Sequence, residues 1–143
     1  MFQTEVSKIT PWLNIPTVHP VKLEPFTIDN VQYLAAVNFM DENGNYNAKS
    51  AIFRLNETTW IFDKVQEFST SGAVDFQYVD AGLHRYAIFL DFIGSRRTGG
   101  PLTHQRSFQV NQYQPQHDPQ EPFHYRSRVN TLGAKDVNVF SKV

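Results

Sequence analysis

At 143 residues the chain has the length of one ordinary domain, enough to bury roughly two-thirds of its unfolded surface without a disulfide or structural metal. Lys and Arg (13) nearly balance Asp and Glu (14), for a formal charge of −1, so the whole chain carries no electrostatic footprint for nucleic acid or an anionic membrane. Cysteine is absent, which removes thiolate metal sites, disulfides and redox chemistry.

No window approaches the ~20 apolar residues of a spanning helix, and the opening MFQTEVSK lacks the basic-then-apolar layout of a secretory signal. No membrane insertion is therefore expected, and a secreted chain would be in its mature form. The apolar residues are skewed toward rings, with 12 Phe, 6 Tyr and 2 Trp, a bias that favours pleated, half-buried surfaces over helices. In chain order, strand-like runs fall at 22–29, 32–39, 51–56 and 60–68, then at 75–80, 85–92, 107–113 and 123–129. Turn signals such as DENGN and SRRTGG separate them. Residues 2–12 read as a further fourth strand and residues 137–143 as a further first strand. Helix is expected to be almost absent, because no eleven-residue stretch has a 3.6 period and the 8 prolines are scattered.

The runs repeat. TSGAVDF at 70–76 returns as TLGAKDV at 131–137, and the flanks hold register: Phe62 matches Phe123, Phe68 matches Val129, and Asp75 matches Asp136. A third copy starts at Thr17, with Lys22 in the Asp position and Tyr33 matching Tyr86. Glycines at 72 and 133 allow a corner with positive φ or a close approach, and the small Ala73 and Ala134 permit tight packing beside it. Thr and Asp are expected to hydrogen-bond local backbone and lock that corner. The reading is one all-β domain over 1–143, with repeats at about 17–69 and 70–130 and partial repeats at both termini.

The stretches EPFTIDNVQYLAAVNF and SAIFRLNETTWIFDKVQEFSTSGAVDFQYV resemble the epilepsy-associated repeat, also called the EAR or EPTP repeat, of the leucine-rich glioma inactivated proteins and related extracellular proteins. The likeness runs through about residues 9–92 and, more weakly, 107–140, where the second repeat has two enlarged loops and lacks a clean I-F-R-L-N strand. It implies that each repeat is one four-stranded antiparallel blade of a β-propeller, acting by binding and not by catalysis, outside cells or on their surface. Two propeller-like blades plus one extra strand at each end fall short of a closed ring of four to eight. The alternative is a two-sheet β-sandwich. Unpaired edges at both ends make a homo-oligomer the expectation in either case.

No catalytic or metal site is expected, and no cofactor. The 5 histidines lack paired ligand spacing, DENGNYN at 41–47 fails as a calcium loop because its glycine is fourth, and the phosphate-binding and nucleophile-elbow motifs are missing. The candidate ligand-binding residues are Arg96, Arg97, His104 and Arg106 on one basic loop, whose guanidinium forks suit carboxylates and hydroxyls. Asn43, Asn45 and Tyr46 on the matching loop of the first repeat would add polar and stacking contacts. Trp60 and Trp12 are expected to fill sheet interfaces. Asn56-Glu57-Thr58 is an N-glycosylation sequon at a predicted turn, used only on a secreted chain. The function expected from these features is a multivalent lectin for glycans or glycoproteins. The alternative is an extracellular protein-interaction or adhesion module with a protein receptor.

Overall fold

A computed structural model of the chain describes residues 20–92 and 105–132. Eight strands lie in that range: β1 (Pro20–Ile28), β2 (Val31–Asn38), β3 (Lys49–Asn56), β4 (Ile61–Ser69), β5 (Ala73–Ala81), β6 (His84–Asp91), β7 (Gln105–Tyr113) and β8 (Phe123–Leu132). They form two four-stranded antiparallel meanders, sheet I in the order β1-β2-β3-β4 and sheet II in the order β5-β6-β7-β8. No helix occurs among the described residues. The tail strands expected at 2–12 and 137–143, and the second corner at Gly133, lie outside them.

Local chemistry sets the hairpins. Ile28 pairs with Val31 across a two-residue loop in which Asp29 and Asn30 both hold positive φ, 50° and 66°, the left-handed pair that matches the twist of the flanking strands. Ala81 pairs with His84 across the second such loop, where Gly82 supplies φ 80° and its N–H donates to Asp80 Oδ1 at 3.0 Å.

The second strand of each sheet carries a continuous apolar run in place of alternation, YLAAV in β2 and YAIFL in β6. Such a strand is buried on both faces, and Leu34 to Val37 and Ala87 to Leu90 are all buried. Between the sheets lies a ladder of rings. Phe26 stacks on Tyr33 (5.4 Å) and Tyr78 (4.9 Å) and meets Phe76 at 5.3 Å. Phe89 lies 4.9 Å from both Phe76 and Phe68, and Phe68 reaches Phe123 at 6.0 Å. Offset and tilted ring pairs of this kind add roughly 0.5–1.5 kcal/mol each beyond the area they bury.

The sheets face each other in the same sense. Near the start of β1 and β5, the Lys22 ammonium donates to Asp75 Oδ1; beyond the far end of β1, Asp29 takes a bidentate pair from Arg85, at 2.9 and 3.0 Å. Strand β1 therefore runs alongside β5 in the same direction, and Lys22 and Asp75, the same repeat position, meet across the seam. At the other edge, β4 faces β8. Gln66 donates to Phe123 O (2.7 Å) and accepts from Phe123 N (2.9 Å), so one side-chain amide replaces a strand neighbour.

One expectation is corrected. Trp60 does not fill a sheet interface; it sits in the β3–β4 turn at φ 59° and is 59% exposed. The turn needs a left-handed residue there, and its N–H closes the turn on Asn56 O at 2.6 Å.

Candidate ligand-binding end

The chain passes from sheet I to sheet II through the T-x-G-A corner. Gly72 holds φ 62°; its N–H donates to Tyr46 O at 2.6 Å, and its carbonyl accepts from Phe92 N at 2.8 Å. One glycine thus clamps the loop after β2 to the loop after β6. Thr70 is buried, and its hydroxyl donates to Ala48 O and meets Ser50 Oγ, both at 2.9 Å. It therefore secures the neighbouring strand start and not its own turn. Asp75 does act locally, accepting from Phe76 N at 2.9 Å.

The β2–β3 loop is organised by Asp41. Its carboxylate accepts from Asn45 N (2.8 Å), Asn43 N (2.9 Å) and Asn45 Nδ2 (3.1 Å). These donors hold its pKa below the usual carboxylate value, the Asn45 main-chain N–H contributing most. The Asn45 amide gives one hydrogen bond to this loop, and Asn43 and Asn45 are both exposed at the tip.

From the loop a row of rings crosses the seam. Tyr46, 43% exposed, meets Phe39 edge-on at 5.2 Å, and Phe39 meets Phe92 at 6.3 Å. The guanidinium of Arg106 lies 4.4 Å over the Phe92 ring, a cation–π placement. Phe39 and Phe92 are the same repeat position, so the corner brings equivalent residues of the two sheets side by side. Of the seven residues named from sequence, Tyr46 and Arg106 are joined by this row, and Asn43 and Asn45 flank it. Arg96, Arg97 and His104 lie outside the described residues.

Sequence reasoning missed a second feature, a cleft of about 450 Å³ between β4 and β7–β8, lined by Gln66, Gln109, Asn111, His124 and Arg128 among others. Gln109 donates to Ser69 O at 2.7 Å, and Asn111 donates to Ala87 O and Gln109 Oε1 at 3.2 and 3.1 Å. Arg128 reaches the fully buried Asp91 (2.8 Å) and Ser107 Oγ (2.7 Å). Burial pushes the Asp91 carboxyl up, against the pull of Arg128. The signal was the polar parity of Ser107, Gln109 and Asn111 in β7, where the second repeat departs from I-F-R-L-N. Two of these side chains bond across the sheets, Gln66 to Phe123 and Gln109 to Ser69 O, and form a polar latch between them; the bonds of Asn111 and Arg128 lie within sheet II. No cluster able to hold a metal ion occurs among the described residues.

Two stacked four-stranded antiparallel sheets, with loops gathered at one end and a polar latch at the other edge, define a repeat-built all-β scaffold. Comparison with known proteins makes this specific: residues 11–56 match the EPTP domain. The chain is also similar to the thrombospondin-type laminin G domain and EAR repeat-containing protein of Homo sapiens, 32% identical over 81 residues, covering 57% of this chain and 12% of the relative. The Mus musculus protein of the same name is 28% identical over 81 residues, with the same coverage. The chain thus spans about an eighth of the length of these relatives. No solved structure matches it. The resemblance to the EAR repeat read from the sequence is upheld by both comparisons.

Proposed function

We propose that the chain is a non-enzymatic interaction module that works outside cells and engages a protein partner through the end where the two sheets are clamped by Gly72. The observation that carries this reading is the row Tyr46–Phe39–Phe92–Arg106, which presents an exposed tyrosine and a ring-bound arginine on a surface fixed by backbone hydrogen bonds. Tyr and Arg are the side chains that most often dominate protein interfaces, and a preformed surface loses little entropy on binding. Similarity to a protein whose name joins EAR repeats to a thrombospondin-type laminin G domain supports an extracellular setting. The alternative, a lectin, would use the same loop, where Asn43, Asn45 and Tyr46 are exposed and the Asn45 amide already gives one hydrogen bond to Asp41.

Fluorescently labelled chain titrated onto intact cells separates the two. Binding that is lost after protease treatment of the cells, survives glycosidases, and weakens about tenfold or more in a Tyr46→Ala, Arg106→Ala variant agrees with the proposal. Loss after glycosidase would transfer the function to carbohydrate. Binding unchanged in the variant would remove this end from the site.

A further inference from the structure

Asn56-Glu57-Thr58 is the single Asn-x-Ser/Thr triplet in the sequence, and neither the sheet seam nor the proposed binding end uses it. Strand β3 ends on Asn56, and residues 57–60 form the turn into β4. Asn56 pairs with Ile61, while Arg54, two residues earlier on the same face, pairs with Asp63. Arg54, Ile61 and Asp63 are exposed, as are Glu57, Thr58, Thr59 and Trp60. The corner around the Asn56 side chain is therefore open to solvent.

The hydrogen bonds of the Asn56 amide also tolerate a substituent. Its Oδ1 accepts from Thr58 N at 2.9 Å and from Thr59 N at 3.3 Å, and its Nδ2 donates to Asp63 Oδ2 at 3.3 Å. A side-chain amide nitrogen carries two hydrogens. Replacing one by a sugar keeps both carbonyl bonds and leaves an N–H for Asp63, so the turn holds its shape. A sugar there would lie beside the Ile61 side chain, the cross-strand neighbour, which is 52% exposed. The site is remote from the Tyr46–Arg106 row as well. The 8 residues of β3 span roughly 25 Å between the two ends of the sheet, so a bulky glycan leaves the binding end clear.

We propose that Asn56 carries an N-linked glycan, an inference that rests on the extracellular setting proposed above. The transfer joins Asn56 Nδ2 to C1 of the first sugar and breaks the bond from that carbon to the diphosphate of a polyprenyl-diphosphate oligosaccharide. The lipid diphosphate and one Nδ2 proton leave. The test directs the full chain into the secretory pathway of cultured animal cells with a cleavable leader. Mass spectrometry reads the chain from cells and medium before and after peptide N-glycosidase. The wild type is expected above 16.5 kDa and to fall on treatment, with Asn56 converted to Asp. Thr58→Ala, which keeps the main-chain N–H that bonds Asn56 Oδ1, is expected to lose the glycan, and Thr58→Ser to retain it. A wild type whose mass does not change on treatment would overturn the proposal, as would a shift that persists in Thr58→Ala. The leader delivers the chain wherever it naturally resides, so a missing glycan counts against this site and not against the proposed function. A natural chain confined inside the cell would instead overturn the extracellular setting.

Discussion

Asp41 fixes the shape of the loop it opens, since three donors from Asn43 and Asn45 converge on one carboxylate. Those donors favour the charged form, so its folded pKa lies below the ordinary 3.8. The sign follows from linkage: the contribution of Asp41 is complete above its unfolded value and is lost as pH falls through the lower folded value. The amide resonances of Asn43 and Asn45 are accordingly expected to move together with one shared midpoint below 3.8, while Asp41→Asn shifts both at neutral pH. Movement with a midpoint at or above the ordinary value would show that the carboxylate does not order the loop. Asp41 was legible only as part of a polar turn, because DENGN announces a hairpin tip without saying which side chain faces inward. Gly72 was more legible. A glycine between Thr and Ala in a repeated corner requires either positive φ or close approach, and it has the first together with two seam hydrogen bonds.

The elements separate residues that pack from residues that only look apolar. Phe89 is fully buried against Phe68 and Phe76, so Phe89→Ala is expected to cost about 3–5 kcal/mol of stability through lost burial and a residual cavity. Trp60→Ala is expected to change stability by less than about 0.5 kcal/mol, because the ring is exposed at a turn. Urea denaturation of both variants checks the contrast, and a large effect at Trp60 would place it in an interface after all. All eight described strands were visible in the sequence to within a few residues, since short aromatic and β-branched runs between turn signals admit little else. Trp60 was misread because a run that begins IFDKV extends backwards naturally to Trp, and only the backbone shows that the preceding residue must be left-handed. The latch of Gln66 and Gln109, and the polar Asn111 and Asp91 beside it, escaped notice for a different reason. Polar side chains on an inward parity are meaningful only when the opposing strand is known, and β4 meets β8 across 57 residues of sequence.

At the scale of the molecule, the two sheets repeat one orientation, with equivalent strands β1 and β5 side by side. The repeat could be counted from sequence, and its likeness to the EAR family named the sheet type. The relative sense of the sheets could not be read there, because the same apolar residues are buried whichever way the second sheet runs. Two ion pairs decide it: Lys22 with Asp75 at one end and Asp29 with Arg85 at the other. Same-sense stacking is also what lets one corner gather the loops of both sheets, so the proposed binding end depends on it. Zero-length carbodiimide coupling followed by peptide mass spectrometry reads this sense directly, since it joins an ammonium to a carboxylate already in contact. The account predicts an amide between Lys22 and Asp75, at the start of β5. Coupling of Lys22 to Asp80, at the other end of that strand, would contradict it.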